Sequence, residues 1–189
     1  MSWDRHVQYV LKSGYGALKS LKAIKRFTPF NIRKNLASCL VLSKIKYANI
    51  VYSDVLEYQF RRLQKLQNSA ASFVINKYAR PSDVVNLSWL PIKEDLELSI
   101  AKAAHNSLYS ATWPAYLKNR FQQQTRQLRN IDDRLHQIEN ERTHHTFNSD
   151  CCRVFNDLPM SCRSSTNFNE FTRLTKSYLL DIALARNIK

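Results

Sequence analysis

The residues of this chain that could do chemistry fall into groups that point in different directions. Asp132-Asp133 is the one adjacent pair of aspartates, and neighbouring carboxylates can hold divalent ions for phosphoryl transfer. Their surroundings, Arg129-Asn130-Ile131-Asp132-Asp133-Arg134, show no strand alternation and lie in a polar stretch, so no catalytic role is assigned to them. His144, His145, Cys151, Cys152 and Cys162 form the one potential metal cluster. Zinc motifs space paired ligands a few residues apart on each side of a loop, and this set does not, so neither a metal site nor a cofactor is expected. There is no Gly-rich phosphate loop and no nucleophile elbow. What is left is positive charge: Lys19, Lys22, Lys25, Arg26, Arg33, Lys34, Arg61, Arg62 and Lys65 could neutralise phosphates. Such contacts are steeply salt-dependent and largely indifferent to base sequence. Tyr15, Phe27, Tyr47 and Tyr58 lie among these cations and could stack on bases, although aromatics at helical spacing are more often core.

The charge is unevenly spread. The net charge is +14, and through Arg80 fifteen Lys/Arg face three Asp/Glu, whereas residues 81–120 carry four of each and the remainder ten against eight. A positive excess gathered into the opening part of a chain fits a surface that meets a polyanion, and nucleic acid, RNA or DNA, is the expected partner. A solvated basic surface without a dedicated partner is the plain alternative. No run of about eighteen apolar residues and no secretory signal pattern is present, so no membrane partner is expected and an intracellular chain, nuclear or cytoplasmic, is the default. The four cysteines are too few and too irregular for a disulfide framework, and they read as reduced thiols.

The elements that must position these residues are helical. Two glycines and five prolines among 189 residues favour long helices over turn-rich sheet. Trp3, Val7, Val10 and Leu11 mark a first helix, which Gly14-Tyr15-Gly16 interrupts or kinks before Leu18, Leu21 and Ile24 continue a second stripe. Lys12, Lys19, Lys22, Lys25 and Arg26 decorate the outside of that pair as a basic ridge. Thr28-Pro29 has the form of an N-cap with proline at the first helical position. Ile32, Leu36, Cys39, Leu40, Val41 and Leu42 then cover more than one face, as expected of the most enclosed helix, with Cys39 in the core. Phe60, Leu63, Leu66, Ala70 and Phe73 form an apolar stripe, with Arg61, Lys65, Asn68 and Ser72 opposite, and this helix is expected to stop at Arg80-Pro81. Pro91 starts another helix, whose apolar residues run from Ile92 to Leu108, with Glu94, Asp95 and Glu97 at its positive end. Trp113-Pro114-Ala115-Tyr116-Leu117 ends that helix and is expected to fold back as an aromatic plug. Residues 122–142 turn polar, and both a short exposed helix on Leu128, Ile131, Leu135 and Ile138 and an extended segment fit them. Ser149 to Leu158 forms a short helix ending before Pro159. Asn167 with Glu170 has the form of a capping box ahead of a last helix striped by Phe168, Phe171, Leu174, Tyr178, Leu179 and Ile182.

Several tags follow one another in a telling order: Ser2-Trp3-Asp4-x-His6-Val7, a leucine-rich helix ending in Lys46-Tyr47-x-Asn49-x-Val51-Tyr52, and Leu63-Gln64-Lys65-Leu66-Gln67-Asn68-x-Ala70-Ala71. Trp89-Leu90-Pro91, Trp113-Pro114-x-Tyr116-Leu117, Arg126-x-Leu128-Arg129 and Val154-Phe155-Asn156-Asp157-Leu158-Pro159 complete the series. In this order they resemble the region C-terminal to the polymerase palm in non-LTR retrotransposon reverse transcriptases of the jockey or LINE kind, over nearly the whole chain. Phe155 stands where that family usually has tryptophan. The resemblance implies a thumb and post-thumb region that grips the template-primer duplex. It also implies a palm, with its metal-binding aspartates, encoded ahead of Met1, and an extended, variable character for residues 122–142.

The expected architecture is therefore all-α, a single irregular bundle of about six or seven helices. Helices near 29–46, 57–79 and 91–111 form its centre, and one near 167–184 packs last. Residues 1–120 are expected to be a basic helical core, 121–146 a polar variable segment that is partly extended, and 147–189 C-terminal helices that pack back on it. The expected function is that of a non-catalytic C-terminal fragment of an RNA-directed DNA polymerase, binding RNA or DNA without sequence preference. A helical protein-interaction scaffold, a zinc-stabilised module and a transposon relic without a role are the alternatives, and the oligomeric state is left open.

Overall fold

The computed structural model describes residues 4–47, 49–50, 55–118, 121–123, 135–137 and 147–188. Six helices of eight residues or more are among them: α1 (Asp4–Ala23), α2 (Phe30–Ala37), α4 (Glu57–Ile75), α6 (Ile92–Tyr109), α8 (Phe147–Asp157) and α10 (Phe168–Ile188). Shorter turns of helix, α3 (Ser43–Lys46), α5 (Pro81–Asn86), α7 (Ala115–Lys118) and α9 (Met160–Arg163), join them. The mostly helical fold expected from the scarcity of glycine and proline is what forms. Extended structure among the described residues is one antiparallel pair, β1 (Phe121–Gln123) with β2 (Leu135–Gln137), in register Phe121 to Gln137. The chain divides into two compact units, Met1–Asp95 with Leu180–Lys189, and Leu96–Leu179. Those limits differ from the boundaries expected at 120 and 146.

In the first unit α4 is the enclosed element, packed against α1, α2 and α5. Its stripe buries Phe60, Leu63, Leu66, Ala70 and Phe73 as the spacing predicts, together with Ala71 and Val74. The segment expected to be most enclosed is not. Ile32 and Leu40 are 47% and 44% exposed and Cys39 is exposed, because the chain between α2 and α3 passes through a π-turn, Ser38–Leu42, that turns Val41 and Leu42 inward and Cys39 outward. Thr28 is not the N-cap. Its hydroxyl donates back to the Ile24 carbonyl at 2.7 Å, closing the preceding 3-10 segment Lys25–Phe27, and Pro29 takes the extended cap position before α2. Nor does α4 run to Arg80: Asn76 enters the left-handed region at φ 60° and ends it, as short polar side chains can. Pro81 instead opens α5, where the Asp83 carboxylate accepts the Arg80 backbone N–H at 2.9 Å. That contact, with Lys77 beside it, holds the Asp83 carboxyl below its usual range.

The glycines expected to break the first helix do not. α1 is continuous, and Gly14 is buried where α1 lies along α4. A Cβ there would meet Leu66 Cδ2 at 2.5 Å, while one on Gly16 would meet nothing within 4 Å. Asp4 accepts hydrogen bonds from Tyr58 and Gln59 nearer the start of both helices, so α1 and α4 run side by side in the same direction. Gly14→Val is expected to cost about 2–3 kcal/mol through overpacking against the fully buried Leu66. Gly16→Ala is expected to stabilise by up to about 1 kcal/mol, since only helix propensity changes. Urea unfolding of the two variants checks the opposite signs.

The Leu-Gln-Lys-Leu-Gln-Asn and Trp-Leu-Pro tags turn out to be one structural device. Gln64 Oε1 accepts the Ile92 N–H at 3.0 Å, and Gln67 Nε2 donates to the Leu90 carbonyl at 2.8 Å. Two amides one turn apart on α4 thereby satisfy backbone groups on both sides of Pro91, where α6 begins and its first N–H groups lack helical partners. The acids next to Pro91 have partners as well as the helix dipole. Asp95 takes Lys46 Nζ at 2.5 Å and Asn49 Nδ2 at 3.0 Å, and Glu94 takes Arg186 Nη1 at 2.8 Å.

In the second unit the last helix buries Phe171, Thr175 and Leu179, a four-residue step. Phe168, expected on that stripe, is 40% exposed. Asn167 caps this helix, its Oδ1 accepting the N–H groups of Asn169 and Glu170 at 2.9 and 3.2 Å. The return half of the expected box is not made, because the Glu170 carboxylate takes the Ser165 hydroxyl at 3.2 Å instead. Phe155 is fully buried with its ring centroid 6.2 Å from that of Phe171. Trp113 is half-buried and Pro114 and Ala115 are exposed, while the side chains of Tyr116 and Leu117, the rest of the plug expected there, lie outside those described.

Candidate nucleic-acid interface

The first unit gathers the cations. Lys12, Tyr15, Lys19 and Lys22 recur on α1 at three- and four-residue steps and are exposed, and Arg26 continues the stripe in the 3-10 segment. Spacing of that kind sets them on one face of the helix. Across a shallow groove of about 530 Å³ from Lys12 and Tyr15 stand Arg62 and Lys65 of α4. The close approach at Gly14 is what makes these two rows the walls of a single groove.

The charge here is unopposed. Ten Lys/Arg and no acidic residue lie from Arg5 through Ser53. Among the described residues no carboxylate pairs with Lys12, Lys19, Lys22, Lys25, Arg26, Lys34, Arg62 or Lys65. Several cations elsewhere are matched. Arg61 and Lys93 share Glu57 at 3.5 and 2.5 Å, Lys46 meets Asp95, and Lys77 lies 3.6 Å from Asp83. The hydrogen bond from Lys93 holds the Glu57 carboxyl below its ordinary value.

Of the residues singled out from sequence, Arg62 and Lys65 line the groove, and Lys19, Lys22 and Arg26 extend the row beyond Lys12 and Tyr15. Lys25 is half-buried. Arg33 and Lys34 are half-buried on α2 and do not line it. Arg61, next to Arg62, faces a different cleft. Lys12 belongs to the ridge but not to the residues expected at phosphates, and its three-residue step to Tyr15 and seven to Lys19 is the signal that places it at the contact. The four aromatics are not core: Tyr15 is 42% exposed, Phe27 86%, Tyr47 76% and Tyr58 47%. Tyr58 donates its hydroxyl hydrogen to Asp4, which raises its pKa, so its ring alone is free for other contacts.

The second cleft, about 290 Å³, also lies within the first unit. Phe60, Pro91, Ile92 and Ala183 form its apolar floor, with Arg61, Lys93 and Arg186 at the rim. Lys93 Nζ sits 5.9 Å from the Phe60 ring centroid.

Asp132, Asp133, His144 and His145, with the Arg126-x-Leu128-Arg129 tag, fall outside the described residues. Among the described residues no three His, Cys, Asp or Glu side chains gather as a metal site. Cys151, Cys152 and Cys162 are buried, and burial pushes the Cys152 thiol up to about 11 and the other two upward as well, away from the thiolate a metal requires. No described helix is long and apolar enough to cross a membrane. No protein-family model, curated protein or solved structure matches the chain.

Proposed function

We propose that this chain binds nucleic acid through the α1/α4 groove, as the non-catalytic, gripping C-terminal region of a retrotransposon reverse transcriptase. One observation carries the reading: two parallel helices present cations to a shared groove without a carboxylate among the described residues to neutralise them, and one exposed aromatic, Tyr15, stands among those cations. Unpaired surface charge at this density costs self-repulsion, and a phosphate backbone relieves it by releasing its own counterions. The order of the sequence tags supports the attribution to a reverse transcriptase. The second reading, a protein-interaction scaffold, is favoured by Ile24, Phe30, Ile32 and Leu40, which are all more than two-fifths exposed.

Fluorescence anisotropy with a labelled short strand, repeated across salt, tests the proposal. Binding is expected at about 50 mM salt, with log K falling linearly against log salt by about 0.7–0.9 per phosphate engaged. Absence of binding at low salt would sink it and leave the scaffold.

A further inference from the structure

We infer that the nucleic acid is held as a single strand crossing α4, its phosphates in the α1/α4 groove and one unpaired base in the cleft floored by Phe60, Pro91, Ile92 and Ala183. This rests on the proposed function and specifies the form of its ligand. Arg61 and Arg62 are consecutive on α4, and consecutive helical residues point about 100° apart. Arg62 accordingly lines the groove with Lys12 and Lys65, while Arg61 lines the cleft. The pair connects an unopposed phosphate track to a mostly apolar recess.

The recess has the chemistry of a base site. Its floor is aromatic and aliphatic, and a volume of about 290 Å³ is at the small end for ligand clefts, enough for one heterocycle and too small for stacked base pairs. Most of its polar groups are already committed. Gln64 accepts from Ile92 and donates to Gln67 and Asn68, Glu57 is held by Lys93, and Glu94 by Arg186. The exception is Asn68. Asn68 is half-buried, its Oδ1 accepts from Gln64 at 2.9 Å, and its Nδ2 has no partner among the described residues and can donate to a base carbonyl or ring nitrogen. The ion pairs at the rim leave one cation in excess there, Arg61, Lys93 and Arg186 against Glu57 and Glu94, which suits the phosphate attached to an inserted base.

The test compares three labelled probes on the wild-type chain at low salt: an oligothymidylate of about twelve nucleotides, the same backbone abasic throughout, and a duplex of equal length. The intact strand is expected to bind about tenfold tighter than the abasic one, in line with the 1–3 kcal/mol of one base contact. It is also expected to bind tighter than the duplex. Asn68→Leu, which fills the recess and removes the donor, is expected to lower affinity for the intact strand to near the abasic value and leave duplex affinity unchanged. Equal affinity for intact and abasic strands overturns the base site while the phosphate groove stands. A base-dependent gain that survives Asn68→Leu overturns its location. Failure of all three probes to bind overturns the proposed function itself.

Discussion

Replacing Lys12, Arg62 and Lys65 together by alanine is expected to weaken binding of a short single strand about a hundredfold at about 50 mM salt, and to flatten the log K against log salt slope by about two to three. A hundredfold is about 2.8 kcal/mol, or close to 1 kcal/mol for each phosphate that no longer meets a cation. These three line one groove, and none is engaged by a carboxylate among the described residues, so their charge is available in full. Folding stability should change little, because Lys12 and Lys65 are exposed, Arg62 is half-buried and no ion pair among the described residues is broken. The matched control removes three cations from the second unit, Arg153, Arg173 and Lys176. Net charge falls by the same amount in both, so a comparable loss in the control would mean that overall charge, and not the groove, binds the strand.

The second large effect concerns stability. Phe171→Ala is expected to cost about 3–5 kcal/mol, the usual range for deleting a fully buried aromatic. The ring is stacked on His105 at 4.3 Å between centroids and lies against Phe155, so the vacated space cannot collapse without moving both. His105 adds a pH dependence to the same cluster. Its Nε2 meets the Ser165 carbonyl at 3.0 Å, which requires a hydrogen on Nε2, and its Nδ1 is buried without a partner. The rings of Tyr109, Phe168 and Phe171 surround it. Desolvation, the largest cause, therefore lowers its pKa below the ordinary 6.5. The unfolded chain takes up a proton near 6.5 that the folded chain still refuses. The stabilisation from a neutral His105 is thus complete above that pH and is lost as pH falls through the window below it. Urea midpoints measured from pH 7.5 down to pH 5 should fall for the wild type and fall less for His105→Gln. An unchanged slope in the variant would remove His105 as the cause.

Local pattern is enough for the existence of most elements. Apolar steps of three and four place α1, α4, α6 and α10, Pro91 marks where α6 starts, and the Asn167 cap marks where α10 does, because each depends only on neighbours within a turn or two. Expectation fails where another contact outweighs that pattern. Gly14 has the look of a break and is instead the point where α1 is pressed against Leu66. Cys39 and Leu40 have the look of core, but a π-turn rotates them into solvent. Helix α4 ends at Asn76 and not before Pro81, since a left-handed residue stops a helix as surely as proline does. Gln64 and Gln67 give no sign of their role, because a glutamine that satisfies the backbone of another segment is indistinguishable in one dimension from one facing water.

By itself the sequence determined the helical class, the crowding of cations ahead of Arg80 and the scarcity of acids among them, since composition and short-range spacing are properties of the chain before it folds. Only the tertiary structure decided which cations act together. Helices α1 and α4 run in parallel at the distance Gly14 permits, so Lys12 is brought opposite Lys65 and joins the groove, while Arg61 is turned away from its neighbour Arg62 toward the cleft beside Ile92. Charge is additive along a sequence, but a groove is made by the relative placement of two helices, and burial of Leu66 and its neighbours sets that placement.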